Sequence, residues 1–106
     1  MGIIFVYITN PTKAVARRVA KQLLRKKLIA CANIYPGVNS IYPWKGTIAD
    51  EQEVILIAKT TNGLWGAVRK EVERVHPYTV PCVIKIAVTA NSGYAHWLTS
   101  EVRTRI

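Results

Sequence analysis

The chain has 106 residues, half of them hydrophobic, and a formal net charge of +9 at pH 7. This length suits one domain, residues 1–106, and no apolar stretch approaches the roughly 20 residues of a membrane-spanning helix. The first residues lack a basic signal-peptide head, and Cys31 and Cys82 lie in apolar runs typical of reduced thiols, so we expect a soluble, cytoplasmic protein without a membrane partner.

The first third of the chain predicts a strand followed by a helix. Ile3 to Thr9 is a short apolar run typical of a strand, and Asn10-Pro11 closes it with a turn and a helix start signal. From Thr12 to Lys27, apolar residues recur every four positions, which predicts an amphipathic helix. Its opposite face carries seven of the fifteen basic residues: Lys13, Arg17, Arg18, Lys21, Arg25, Lys26 and Lys27.

The middle of the chain predicts a long hairpin. Leu28–Tyr35 and Val38–Trp44 indicate one strand that bends at Pro36-Gly37, because proline and glycine are tolerated at an edge or a bulge. A turn at Lys45-Gly46 returns the chain into a second strand over Val54–Thr60.

The last third predicts a helix from about Asn62 to Val75, a strand over Val80–Thr89 and a short helix from Ser92 to Arg105. The order β-α-β-β-α-β with a closing helix indicates an α+β, ferredoxin-like domain, in which two helices cover one face of an antiparallel sheet.

The predicted hairpin, Leu28–Thr60, is too long for helices of this size to cover. Its tip would expose the aromatic side chains of Tyr42 and Trp44 together with unpaired strand edges, and such a tip normally pairs with another subunit. We therefore expect a homo-oligomer with Pro36, Gly37, Tyr42 and Trp44 at the contact.

Thiol and imidazole groups are the ligands that soft metals prefer, and the chain has Cys31, Cys82, His76 and His96. None of them stands at the close spacing of a metal motif, so any metal site must combine separate strands or subunits. Cys82 also fits a small core residue, and His76, held before Pro77 where a helix must end, also fits a cap for the helix carbonyls.

Strand alternation places Glu53 and Lys59 on one side of the second hairpin strand, where they either frame a pocket or lie solvated at the strand ends. Tyr78 stands between two prolines and offers a hydroxyl group or a packing surface. No established catalytic signature is found in the sequence, so we expect a protein that is not an enzyme and requires no cofactor.

Six segments, which span nearly the whole chain, resemble the CutA family in order and spacing: Leu28–Ile34, Ser40–Gly46, Glu53-Val54, Lys59-Thr60, His76–Pro81 and Tyr94–Leu98. The resemblance implies a homotrimer in which long strands pair between subunits, with a ligand pocket near the interface. The positions that match this pocket are Cys31, Trp44, Glu53, Lys59, His76, Tyr78 and Trp97.

The family is linked to tolerance of copper and other divalent ions, includes Cu(II)-binding members and is similar in shape to PII signalling trimers. The resemblance thus implies sequestration or PII-like signalling, with copper or another divalent metal such as zinc as ligand. Two positions depart from the pattern: Ile8 replaces a cysteine implicated in copper binding in some bacterial members, and Cys82 replaces a common glutamate. The candidate metal ligands are Cys31, His76 and Cys82, a set that would shift preference towards Cu(I) or Zn(II).

Two other functions compete with this one. RNA-recognition domains share the predicted topology, so the basic helix 12–27 would suit a nucleic-acid binder, although the aromatic RNP1 string is missing from the strands. An uncharacterised enzyme would use Glu53, Lys59, His76 and Tyr78 as acid-base groups, provided that the fold brings them together.

Overall fold

A computed structural model describes residues 2–104 and confirms the predicted α+β, ferredoxin-like architecture. The elements are β1 (Ile3–Asn10), α1 (Lys13–Arg25), β2 (Cys31–Trp44), β3 (Thr47–Thr61), α2 (Trp65–Val75, preceded by a 3-10 turn at Asn62–Leu64), β4 (Val83–Val88) and α3 (Ser92–Glu101). The strands form one sheet in the order β2-β3-β1-β4, and all neighbours are antiparallel.

The core lies between the sheet and the two longer helices. Because side chains alternate along a strand, Ile4, Val6 and Ile8 of β1 point to the same face as Leu56 and Ala58 of β3. The apolar stripes of α1 and α2 pack on that face, and its buried members are Ala16, Val19, Ala20, Leu23, Val68 and Val72. The apolar face that the sequence period predicts for each helix is therefore the face that packs against the sheet.

The ends of α1 differ slightly from the predicted range of Thr12 to Lys27. Thr12 is the N-cap, and its side-chain oxygen accepts a hydrogen bond from the N–H of Val15 at 3.1 Å. Beyond Arg25, Lys27 adopts a left-handed backbone with φ of 56°, which ends the helix.

The starts of three strands and the end of the last helix also differ. β3 begins at Thr47 rather than Val54, since its polar first half pairs with β2 through the backbone without an apolar pattern. β2 begins at Cys31 rather than Leu28, and β4 begins at Val83 rather than Val80, because Pro81 has no N–H for the ladder. α3 ends at Glu101 rather than Arg105, which lies outside the described residues.

The bend at Pro36-Gly37 is confirmed as a β-bulge on an edge strand. Tyr35 pairs with Ile55 whereas Val38 pairs with Glu53, so β2 contains one extra residue, and Gly37 has a positive φ of 78°. Lys45 and Gly46 form the predicted tight turn with φ values of 50° and 84°.

The second face of the sheet is only partly covered. Tyr35 of β2 and Ile84 and Ile86 of β4 are exposed on it. At the hairpin tip, Ile41 and Ile48 are 66% and 76% exposed. None of the helices in the described part of the chain reaches the length and hydrophobicity that a membrane crossing requires.

Candidate functional site

A hydrogen-bonded group of side chains lies where β1 and β3 meet the connection between α2 and β4. Glu53 of β3 is only 6% exposed, and its Oε2 accepts a hydrogen bond from the hydroxyl of Tyr78 at 2.6 Å. The Tyr78 ring packs edge-on against the imidazole of His76, with 4.7 Å between the ring centroids. The structure therefore brings Glu53 together with His76 and Tyr78, although Glu53 lies 25 residues before Tyr78 in the sequence.

Both ring nitrogens of His76 form hydrogen bonds, one with the backbone of its own segment and the other with the end of β1. Nδ1 accepts a hydrogen bond from the backbone N–H of Tyr78 at 3.2 Å, so we assign the ring proton to Nε2. Nε2 then donates to the carbonyl of Thr9 at 2.8 Å and to Oδ1 of Asn10 at 3.2 Å. A metal ion would have to displace one of these bonds to reach His76.

Asn10 is the fully buried polar residue at the centre of this network. Its Nδ2 donates to the carbonyls of Ile8 and Val54 at 3.1 and 3.2 Å, and its Oδ1 faces His76. The sequence indicated only a turn at Asn10, because side chains 66 residues apart carry no local signal of their contact. His76 thus caps a strand carbonyl of β1 and not, as one prediction had it, the carbonyls of its own helix.

Burial lowers the pKa of His76 below its ordinary value of 6.5, with a smaller contribution from Arg18 in the same direction. The hydrogen bond with the Thr9 carbonyl and the charge of Glu53 oppose this shift. The unfolded chain therefore takes up this proton at higher pH than the folded chain does. The contribution of His76 to the free energy of unfolding is fully present above pH 6.5 and is lost as the pH falls.

We expect the free energy of unfolding to decrease between pH 7.5 and 5.5, by at most about 1.4 kcal/mol per pH unit from this one proton. Urea unfolding at fixed protein concentration measures the slope. The slope should be smaller in His76→Gln and unchanged in His96→Gln, which alters an exposed histidine of α3. Equal slopes in both variants would contradict the assignment.

A cavity of about 990 Å³, here named the tip cavity, lies between the hairpin tip and the segment after α2. In it, the hydroxyl of Tyr42 donates to Oε1 of Glu51 at 2.6 Å, which repeats the pairing of Tyr78 with Glu53. The indole ring of Trp44 stands edge-on to Tyr42, with 6.5 Å between centroids. The chemical groups of this cavity therefore include two carboxylates, two phenols, an indole and the Cys82 thiol.

The environment of the tip cavity favours the protonated forms of its two phenols and of the Cys82 thiol. Burial, followed by the hydrogen bond to Glu53, raises the pKa of Tyr78, and the hydrogen bond to Glu51 raises the pKa of Tyr42. Burial also raises the pKa of the Cys82 thiol, which outweighs its hydrogen bond with Thr9. A metal ion that binds Cys82 must therefore displace a proton from the thiol.

Glu53 has no cationic partner within residues 2–104. The ion pairs there all belong to Glu71 or Glu73, on α2. No group of three or more histidine, cysteine or acidic side chains that could hold a metal ion occurs in this range. One chain thus provides a buried anionic side chain but no complete metal site.

The remaining predicted pocket residues lie at the opposite end of the sheet. Cys31 pairs with Lys59 in the strand register, six residues along β3 from Glu53, which corresponds to roughly 20 Å. The ammonium group of Lys59 lies 5.5 Å from the Phe5 ring centroid and 5.7 Å from that of Tyr94. The Tyr94 ring in turn packs against that of Trp97, with 5.5 Å between the centroids.

Within one chain, the predicted pocket therefore divides into two groups. Trp44, Glu53, His76 and Tyr78 form one group, and Cys31, Lys59 and Trp97 form the other. Cys31 is likewise separated from His76 and Cys82, so the three predicted metal ligands do not meet in a single chain. The acid-base set of the enzyme alternative does not converge there either, because Lys59 is distant from Glu53.

Sequence reasoning missed three residues of these sites. Tyr94 contacts Lys59, and burial with the neighbouring Cys31 raises the pKa of its hydroxyl. Glu51 pairs with Tyr42 across the hairpin, and Asn10 anchors His76. For Glu51, strand alternation with Glu53 is a usable signal once β3 is extended to Thr47.

Comparisons with known proteins agree with this architecture. Residues 4–101 match the family model described as CutA1 divalent ion tolerance protein. The chain is 42% identical to the divalent-cation tolerance protein CutA of Thermus thermophilus over 94 residues, which cover 88% of this chain and 91% of that protein. It is 40% identical to Protein CutA of Mus musculus over 87% of this chain, but spans only 52% of the mouse protein.

A solved structure gives the same result at the level of the fold. The crystal structure of CutA1 from Oryza sativa superposes with a TM-score of 0.94 at 38% identity, covering 97% of this chain and 95% of the rice chain. The family match extends over the hairpin and the two groups of pocket residues. The chain belongs to the CutA1 divalent ion tolerance protein family.

Proposed function

We propose that this protein acts in divalent-cation tolerance as a homotrimer that binds a metal ion or a small ligand in the tip cavity, between subunits. The observation that carries the proposal is Glu53, a buried carboxylate without an ion pair in the described part of the chain. An ionised carboxylate is costly to bury unless a cation compensates it. A bound divalent cation, with copper as the first candidate and zinc as the second, would supply that charge.

A neighbouring subunit would complete such a site. Glu53 and Glu51 are already hydrogen-bonded to Tyr78 and Tyr42, and two carboxylates are too few ligands for tight binding of copper or zinc. If the Cys31 and Lys59 end of one sheet lies against the tip cavity of the next subunit, the two groups of pocket residues come together. This arrangement would account for their separation within one chain.

Exposed apolar surface supports the proposed trimer. The open sheet face carries Tyr35, Ile84 and Ile86, and the hairpin tip carries Ile41 and Ile48. A soluble monomer rarely exposes contiguous apolar patches of this kind. The predicted contact residues Pro36, Gly37, Tyr42 and Trp44 lie on the same hairpin, so its pairing with a second subunit would bury both sets.

The mode of action that we propose is binding rather than catalysis. A trimer that binds metal ions in its tip cavities would act in one of two ways. It would sequester the ion or, as in PII-like signalling, change the surface that a partner protein recognises. The free thiols of Cys31 and Cys82 suit a reducing compartment, which supports our proposal of a cytoplasmic location.

Calorimetric titration with Cu(II) and Zn(II) tests the proposal. We expect Glu53→Gln to weaken binding at least about tenfold, since the buried charge is lost. Glu73→Gln is the matched control, because it removes a carboxylate from the exposed surface of α2. Wild-type protein that binds neither ion, or identical affinities in both variants, would contradict a metal site at Glu53. Native mass spectrometry of the purified protein would then search for an organic ligand.

Two cysteine variants separate the halves of the proposed site. In an interface pocket, Cys31→Ser should weaken Cu(II) binding although Cys31 is distant from Glu53 in its own chain. Cys82→Ala should weaken Cu(I) binding, and an unchanged Cu(I) affinity would count against Cys82 as a ligand.

A further inference from the structure

A second cavity, here named the helix-side cleft, lies on the other side of the sheet and shares no lining residue with the tip cavity. Its volume is about 640 Å³, within the range of small-molecule sites. The end of α1, the length of α2 with the 3-10 turn before it, and the segment after α3 form its walls. Neither the family match nor the proposed metal chemistry assigns a role to this cleft.

The charge of the cleft is strongly unbalanced. Its lining includes four basic side chains and one acidic side chain, a net charge of +3: Lys26, Lys70, Arg74, Arg103 and Glu71. Buried apolar residues, Leu28 and Leu64, close its inner end. A concave site with this charge attracts anions more specifically than an exposed row of lysines does.

Glu71 fixes two of the cations in place. Its carboxylate, only 7% exposed, accepts hydrogen bonds from Nε and Nη2 of Arg74 at 3.0 and 2.6 Å, and Nζ of Lys26 lies 3.1 Å away. These contacts, with a further hydrogen bond from Gln22 at 3.0 Å, lower the pKa of Glu71 to about 2 despite its burial. The ion-paired guanidinium is thus held in one position before any ligand arrives.

Lys70 and Arg103 supply the uncompensated charge. Neither forms an ion pair or a side-chain hydrogen bond within residues 2–104. The backbone N–H of Arg103 donates to the carbonyl of Lys27 at 2.8 Å, which fixes this segment beside the end of α1. At Gly66, a Cβ atom would meet nothing within 4 Å, so the wall at the start of α2 leaves room for a ligand.

We propose that the helix-side cleft binds a small anion with two or more phosphate groups, such as pyrophosphate or the phosphate chain of a nucleotide. Arginine and lysine side chains that converge from three segments can contact several phosphate oxygens at once. A ligand with a single carboxylate has too few oxygens to contact all of them. The cleft is independent of the tip cavity, so this site can exist whether or not the protein binds metal.

Calorimetric titration of the intact protein with sodium pyrophosphate at physiological ionic strength tests this site. We expect Lys70→Gln and Arg103→Gln each to weaken pyrophosphate binding about tenfold, because each removes an uncompensated charge from the cleft. The matched controls are Lys21→Gln and Arg17→Gln, which remove the same charges from the exposed stripe of α1, outside the cleft. These should bind within twofold of the wild type.

Three outcomes would overturn the proposal: no binding of pyrophosphate, equal weakening in all four variants, or weakening in the α1 variants alone. A parallel titration with a single-stranded RNA oligonucleotide identifies the competing surface. If the protein does not bind pyrophosphate and yet binds RNA in a way that depends on Lys21 and Arg17, the anionic ligand is a nucleic acid, and it binds to the basic stripe of α1. ATP in place of pyrophosphate then shows whether a base adds affinity at the cleft.

Discussion

Replacement of Asn10 by alanine should lower the free energy of unfolding by about 2–4 kcal/mol. The Asn10 side chain is completely buried and satisfies the carbonyls of Ile8 and Val54 while it accepts a hydrogen bond from His76. Alanine would leave these groups buried without that partner. It would also loosen the imidazole that packs against Tyr78, and so the pairing of Tyr78 with Glu53.

Urea unfolding at matched protein concentration measures this effect, with Asn91→Ala as the control. Asn91 precedes α3, is exposed and makes no side-chain cap hydrogen bond, so its replacement should change stability by less than about 0.5 kcal/mol. If Asn10→Ala lowers the free energy of unfolding by less than about 1 kcal/mol, its effect is on the order of a single exposed hydrogen bond. The hydrogen bonds of Asn10 would then not be what holds His76 in place.

The double variant Ile41→Lys, Ile48→Lys should disrupt the proposed trimer and weaken subunit association at least about a hundredfold. Both side chains are exposed in the single chain, so the substitutions should leave its own core intact. They lie on the hairpin face opposite Tyr42 and Trp44. Ile41 also lines the tip cavity, so the single variant Ile48→Lys, outside the cavity, shows whether a change in metal binding follows assembly.

Analytical ultracentrifugation over a dilution series measures this association. Leu24→Lys, on the solvent side of α1, controls for the loss of an exposed apolar side chain and should leave assembly unchanged. If the metal site is shared between subunits, the hairpin variant should lose Cu(II) binding together with assembly. An unchanged association constant would exclude the hairpin tip from the interface, and retained metal binding in a monomer would place the site within one chain.

The elements with a strong apolar period could be predicted from the sequence, and the others only in part. The stripe of α1 and its Thr12 cap appear directly in the residue pattern. The first half of β3 does not, because the two apolar residues of Thr47–Gln52, Ile48 and Ala49, lie on opposite sides, and this part is a strand only through its backbone pairing with β2. β4 starts late for the opposite reason: Val80 fits a strand, but Pro81 removes a hydrogen-bond donor.

The site was predictable as a set of residue types but not as a geometry. Alternation correctly placed Glu53 and Lys59 on the same side of β3, yet it ignored the roughly 20 Å that separates them along the strand. The hydrogen bonds of His76 depend on where Asn10 lies relative to the end of α2, which only tertiary packing determines. The pairing of Tyr78 with Glu53 depends on the same packing.

The extra residue at Pro36-Gly37 reverses the parity of the hairpin. Up to Tyr35, odd-numbered residues of β2 share a face with Glu53, whereas beyond Val38 the even-numbered residues do. Tyr42 and Trp44 stand beside the carboxylates only because of this reversal. A strand of the same sequence without the bulge would place Ile41 and Pro43 on that face instead of the two aromatic rings. The bulge thus decides whether an aromatic or an aliphatic surface meets the buried charge.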